Sequence, residues 1–229
     1  GGAPVPPELV AAAEELGVGV LRLYGSTEAL VVTCNRRDAP REQRLHTDGM
    51  PLPGVELRIR ADDGRLCPPG ERGEIEIRSW QRAVGYFDDP ERTAATFLDD
   101  GWVRSGDLGV LGEDGSLAIV GRKKEIIIRG GLNITPREIE EMLLRFDEVE
   151  RCAVIGLPDP RLGERVCACV CLRPGATLGF EDMVERLRAA GLATYKLPQV
   201  LHVLDELPAT ASGKIQKHVL QAQLQATSE

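Results

Sequence analysis

Short stretches of this chain hold residue types that can do chemistry together. In Tyr24-Gly25-Ser26-Thr27-Glu28-Ala29 a hydroxyl stands beside a carboxylate on a small turn after an apolar run. Such a pair suits a phosphate and its Mg²⁺, because Mg²⁺ takes oxygen ligands and keeps several waters. Tyr24 adds a flat ring for a planar ligand to stack on, although a plain polar turn at a strand end would read the same way. In Ser105-Gly106-Asp107 the carboxylate follows a glycine turn and can accept from both hydroxyls of a ribose, while the same residues also serve ordinary turns. Gly130-Gly131 lets backbone pass close to a ligand. Lys214 follows the small, flexible Ala211-Ser212-Gly213 run, as a cation delivered by a mobile loop would, and as an exposed lysine at a turn would too.

The elements that must position these groups centre on residues 121–140. A charged joint, Gly121-Arg122-Lys123-Lys124, leads into a short apolar strand, the glycine pair and a helix start. Thr135 as N-cap, Pro136 at the first helical position and Glu138 completing a T-x-x-E capping box predict that helix. Ile139, Met142, Leu143 and Phe146 fall at i, i+3, i+4, i+7, which buries one of its faces. Elements in this order mark the start of a new domain.

Before the joint, Pro6 to Val10 opens an alanine-rich helix ending near Gly17, followed by an apolar strand from Val18 to Tyr24. Arg36 to about Arg44 reads as a charged surface loop. Val55, Leu57, Ile59 and then Ile75, Ile77 alternate between turns at Asp62-Asp63-Gly64 and Pro68-Pro69-Gly70, predicting a small antiparallel or barrel-like β unit. A short helix spans Pro90 to Phe97, and Asp114-Gly115 makes a hairpin. After the joint, strands over Val149 to Leu157, Val166 to Leu172 and Val200 to Leu204, with a helix from Phe180 to Ala190, predict a compact α+β domain. The opening Gly1-Gly2-Ala3-Pro4, without Met and without a strand ahead of the first helix, reads as a cut through a larger α/β unit.

Composition narrows the function classes. The 229 residues allow one large domain or two small ones. A net charge of -8 argues against nucleic acid as the main partner, since phosphate backbones require a surplus of Lys and Arg, whereas an anionic small molecule needs only a few cations. No apolar run approaches the ~20 residues of a transmembrane helix. No signal segment is visible at the N-terminus, so the chain reads as soluble and cytoplasmic. Six cysteines without secretory features predict free thiols. Cys167, Cys169 and Cys171 share one strand face, but zinc motifs usually space paired cysteines by two residues, and His46, His202 and His218 lie far off in sequence. Gly213-Lys214 is no P-loop, because Pro208 and Ile215 stand where glycine and a hydroxyl residue are required. Gly17-Val18-Gly19 has Arg22 in place of the third glycine of a dinucleotide fingerprint.

In series, Gly1-Gly2-Ala3-Pro4, Tyr24 to Glu28, Ser105-Gly106-Asp107, the 121–140 stretch and Thr210 to Lys214 resemble the C-terminal half of an adenylate-forming (ANL superfamily) enzyme. That superfamily contains acyl-CoA synthetases, luciferases and nonribosomal-peptide adenylation domains. The resemblance covers the whole chain, in family order. It implies a mixed α/β and α+β fold: about 1–121 as the end of a large AMP-binding domain with a small β-barrel-like subdomain over about 45–121, then 122–229 as a compact α+β C-terminal lid domain with a hinge near Lys124.

For the site, the resemblance implies that Gly1, Gly2 and Ala3 border the adenine and acyl pocket, and that Tyr24 lies against the adenine. Gly25, Ser26, Gly130 and Gly131 join the cofactor-binding set. Thr27 would touch phosphate, Glu28 would hold Mg²⁺, Asp107 and Arg122 would bind the ribose, and Lys214 would reach the acid carboxylate and the α-phosphate. The implied reaction takes a carboxylic acid, ATP and CoA. The carboxylate attacks the α-phosphorus to give acyl-AMP and pyrophosphate, and a thiol then attacks the mixed anhydride. A placed cation and a metal answer the charge that gathers on the phosphoryl oxygens.

The family's Ser/Thr/Gly-rich loop that grips the β- and γ-phosphates is not among these residues and would lie upstream of Gly1, with most of the acyl pocket. The expectation is therefore that this chain needs the upstream part of the AMP-binding domain and is inactive alone. Arg129-Gly130-Gly131-Leu132-Asn133 and Ala211-Ser212-Gly213-Lys214 look more like bacterial acid–CoA ligases than peptide-synthetase domains, whose last motif reads Asn-Gly-Lys. A ligase for a fatty, alicyclic or aryl acid is expected. The alternatives are an enzyme that loads a carrier protein and a binding fragment without catalysis.

Overall fold

Alternating apolar residues and glycine turns break the first half of the chain into short strands. The computed structural model, which describes residues 5–211 and 213–226, pairs these strands into two sheets. The chain divides into two units, Gly1–Lys123 and Lys124–Glu229.

In the first unit α1 (Pro7–Glu15) precedes an antiparallel sheet of β1 (Leu23–Ser26), β2 (Leu30–Cys34) and β3 (Met50–Pro51). The strand expected from Val18 begins only at Leu23. A strand needs a partner ladder, and pairing with β2 starts at Leu23 opposite Cys34, which leaves Val18 and Leu21 exposed. The loop expected from Arg36 to Arg44 is also revised, because Arg41–His46 is helical (α2). Its Leu45 is buried, and Arg41 and Arg44 both pair with Glu14 of α1, so the charges that suggested a loop hold this helix in place.

Next come β4 (Val55–Arg60), β5 (Gly73–Ser79), α3 (Pro90–Thr96), β6 (Val103–Leu111) and β7 (Leu117–Arg122). The four strands form an antiparallel meander in chain order. Among the described residues it is an open sheet with β4 and β7 outermost, not a closed barrel. Val55, Ile59, Ile75, Ile77 and Leu117 pack from this sheet against Tyr24, Ala29 and Val32. Alternation puts Glu76 on the opposite, polar face, yet it is fully buried. Arg60 donates to it at 2.7 Å, Arg58 and Arg104 also reach it, and the Arg58 guanidinium lies 4.0 Å over the Trp102 ring. Burial pushes the Glu76 carboxyl up, and Arg60 and Arg58 outweigh it to hold it below the usual range.

A 3₁₀ turn, Lys123–Glu125, straddles the division. The second unit then contains β8 (Ile127–Arg129), β9 (Leu132–Ile134), α4 (Pro136–Leu143), β10 (Val149–Asp159), β11 (Gly163–Leu172), α5 (Phe180–Ala189), β12 (Val200–Val203) and α6 (Lys217–Ala226). Its sheet runs β10-β11-β8-β9, with β12 parallel to β11. The β10–β11 hairpin continues to Asp159 opposite Gly163, further than alternation suggested, because the Asp159 side chain accepts from the Arg161 and Leu162 amides and closes a tight turn.

Ile139, Leu143 and Phe146 bury against Val154, Val166, Val170, Met183 and Leu187. Each fully buried Ile or Leu contributes about 1.5–3 kcal/mol. The capping box does not form as expected. Thr135 occupies the N-cap without a side-chain capping bond, and Glu138 instead takes the Lys196 ammonium at 2.6 Å, a charge-assisted partner stronger than a backbone amide. The other sheet face holds Cys167, Cys169 and Cys171 under Leu220 and Leu224 of α6, a helix the sequence patterning did not reveal. No helix among the described residues is long and apolar enough to cross a membrane.

Candidate functional site

The ladder between β6 and β7 sets Asp107 directly opposite Arg122, and the arginine Nε donates to Asp107 Oδ1 at 2.7 Å. Tyr24, on β1, donates its hydroxyl to the other oxygen, Oδ2, at 2.8 Å. Asp107 is buried and so held from both sides. Burial, and then the Asp107 charge, push the Tyr24 phenol above its ordinary value, so it stays protonated as a donor.

Past Tyr24 the strand slips register at Gly25, where an added Cβ would lie 2.3 Å from the Leu30 carbonyl oxygen. Only glycine lets the chain turn back onto β2 this tightly. The end of β1 and its turn present Ser26, exposed Thr27 and half-buried Glu28. Glu28 Oε1 accepts from the Tyr86 hydroxyl at 2.7 Å. Tyr86 is fixed in turn by an edge-on contact with Phe97 (5.6 Å between centroids), by Arg92 4.1 Å over its ring, and by the hydrogen bond its backbone amide donates to Thr93 Oγ1. Burial alone would push the Glu28 carboxyl up. Hydrogen bonds, Tyr86 first, outweigh it and leave the group below its ordinary value, ionised at neutral pH.

The remaining candidates belong to the second unit. Gly130 and Gly131 turn β8 into β9 with φ of +56° and +81°, a region that favours glycine, and a Cβ at Gly131 would meet nothing within 4 Å. Lys214 is exposed on a hairpin closed by Thr210 N to Lys214 O (2.9 Å) and by the Ala209–Ile215 bridge. Lys124 is exposed in the 3₁₀ turn. Gly1, Gly2, Ala3 and Ser212 lie outside the described residues.

Within the first unit the structure therefore joins Tyr24, Asp107 and Arg122 directly and stands Glu28 on Tyr86. The role of Tyr86 was not legible in the sequence. It lies 58 positions from Glu28, beyond any spacing rule, and its only local signal is a tyrosine after Gly85 ahead of the Pro90 helix.

Residues 1–87 match the AMP-binding enzyme family, and residues 138–214 match the AMP-binding enzyme C-terminal domain. The chain belongs to the AMP-binding enzymes. Among curated AMP-binding relatives, it is 40% identical over 221 residues to the medium-chain fatty-acid–CoA ligase of Escherichia coli (strain K12), covering 96% of this chain and 39% of that protein. It is 39% identical over 217 residues to a feruloyl-CoA synthase of Amycolatopsis sp, covering 95% and 44%. In structure it is similar to ATP-bound MatB from Rhodopseudomonas palustris, with a TM-score of 0.92, 34% identity, and coverage of 99% of this chain and 45% of that one. It is also similar to the amide bond synthetase McbA from Marinactinospora thermotolerans, with a TM-score of 0.87, 38% identity, and coverage of 97% and 46%. The chain spans about two fifths of the length of the curated relatives it matches.

Proposed function

We propose that these residues serve an ATP-dependent acid–CoA ligase, which activates a carboxylic acid as acyl-AMP and passes the acyl group to the CoA thiol. The observation that carries this reading is the 40% identity, over 96% of the chain, to a fatty-acid–CoA ligase. The geometry supports it. A carboxylate has about four lone-pair sites, so Asp107, accepting from Tyr24 and Arg122, still has capacity for two ribose hydroxyls. Arg122 holds that carboxylate in a fixed orientation. Thr27 offers a hydroxyl to a phosphate oxygen.

Glu28 fits an Mg²⁺ ligand: it is ionised and half-buried, and a carboxylate that accepts from Tyr86 through Oε1 still has lone pairs for a hard cation. When bound there, the ion would neutralise phosphate charge. Lys214 would answer the charge on the α-phosphoryl oxygens as the substrate carboxylate oxygen bonds to the α-phosphorus and the bond to the leaving pyrophosphate breaks. The CoA sulfur then bonds to the acyl carbon and AMP leaves. Lys214 and Gly130-Gly131 sit in one unit and are needed at different moments, so we assign the Lys123–Glu125 turn as the hinge, with Lys124 its exposed pivot, solvated in either state.

The likeness to an amide bond synthetase favours a second reading, transfer of the acyl group to an amine. The test is to express the complete reading frame and supply ATP with a panel of fatty, alicyclic and aryl acids, together with CoA, a phosphopantetheinyl carrier protein or an amine. AMP and an acyl-CoA are expected. AMP with acyl transfer only to the amine or the carrier would replace the CoA reading, and ADP as the product would remove it.

A further inference from the structure

Lys217 stands three residues after Lys214 and is held in the opposite way. It is the first residue of α6, its side chain is 19% exposed, and its ammonium lies 2.7 Å from Glu140 Oε1 and 3.0 Å from Glu125 Oε2. Glu140 Oε1 also accepts from the Val154 amide at 2.7 Å. One ammonium thus joins the start of α6 to α4, to Glu125 just after Lys124 and, through Glu140, to β10. The Lys214 hairpin is tied at the same base. The Gln216 amide donates to the Pro208 carbonyl at 2.8 Å, and Arg151 Nη2 donates to the Gly213 carbonyl at 3.1 Å.

Helix stability does not account for a lysine here. A cation in the first turn opposes the helix dipole, and taking an ammonium out of water is unfavourable until its partners offset the lost hydration. An apolar residue would serve packing as well or better. What the ammonium supplies is a fixed link between two carboxylates on separate elements. Burial pushes the Lys217 ammonium down, and Glu140 with Glu125 more than offsets it, so the group stays charged at neutral pH.

We propose that Lys217 is a positioning residue that locks the Lys214 hairpin to the Glu125 turn, so that Lys214 moves as one body with the segment just after Lys124. This rests on the reading of Lys214 as the cation of acyl-AMP formation. The experiment uses the enzyme from its complete reading frame. Lys217→Met should slow acyl-AMP formation by about 10- to 100-fold, the scale of a misplacement near 1 Å, with the KM for ATP within about twofold. Acyl transfer to CoA from preformed acyl-AMP should stay within about twofold, and Lys217→Arg should restore most of the loss.

In a Lys214→Ala background, Lys217→Met should add less than about twofold, because two changes acting through one group are not additive. The same loss in that background, or equal loss in both half-reactions, overturns the proposal in favour of a merely structural lysine. If Lys214→Ala alone leaves acyl-AMP formation intact, the ligase role of Lys214 fails, and hydrogen exchange then judges the lock separately. Lys217→Met should speed exchange of the Thr210 and Gln216 amides by at least about tenfold while sparing the β10–β11 ladder, and unchanged exchange overturns the lock.

Discussion

Asp107 and Lys214 carry the opposite charges on which the proposed chemistry turns, and the fold treats them in opposite ways. Asp107 is buried on a strand, its two oxygens held by Arg122 from the adjacent strand β7 and by Tyr24 from β1 of the other sheet. Lys214 is exposed on a hairpin whose own bonds fix its backbone. A group fixed inside a ladder can grip the same part of a substrate through successive steps, while an exposed group on a hairpin can serve one step and then withdraw. The contrast matches a two-step reaction in which the nucleotide stays bound throughout and the lysine is wanted only at first.

The largest break in this contrast should come from the joint. Lys124→Pro fixes φ near -65° and should cut acyl transfer to CoA by roughly two orders of magnitude, while acyl-AMP formation stays within about tenfold, as for a gated step. Rapid-quench measurement of each half-reaction checks it, and wild-type CoA transfer by the folded variant would remove the hinge.

Asp107→Asn should act differently, slowing both half-reactions by comparable factors of about 10- to 100-fold, the scale of a lost charge-assisted hydrogen bond at 1.5–3 kcal/mol. An effect confined to one half-reaction would erase the difference between Asp107 and Lys214.

Tyr86→Phe should have the smallest effect. Losing one hydroxyl bond to Glu28 costs about 1 kcal/mol, a several-fold rise in the Mg²⁺ concentration needed for half-maximal rate. It also carries a pH signature. The Glu28 carboxyl sits below its ordinary value of 4.5, so the stabilisation it contributes is fully present above that pH and fades as pH falls through the folded-state value. The stability gap between the parent protein and Tyr86→Phe in urea unfolding should therefore be widest at neutral pH and close in acid. A gap that widens in acid would contradict the Glu28 environment described here.

Much of this could be read in advance, for identifiable reasons. The buried face of Ile139, Leu143 and Phe146 follows from helical period, and the meander from alternation between glycine turns. Asp107, Arg122 and Tyr24 were each legible as single residues. That they bond to one another depends on the β6–β7 register and on a contact 83 residues apart in sequence, which no local pattern encodes. The same limit hid Tyr86 beneath Glu28 and Lys217 between Glu125 and Glu140. α2 was misread because its many charges resemble a loop until Glu14 is seen to pair with them.

The division of labour between a fixed carboxylate and a delivered lysine is tested most directly by Lys214→Ala in the enzyme from its complete reading frame. Acyl-AMP formation should fall by on the order of 10²-fold or more, as when a transition-state charge partner is removed, while CoA transfer from supplied acyl-AMP should remain within a few-fold of wild type. Equal loss in the two half-reactions, or none in the first, would contradict it.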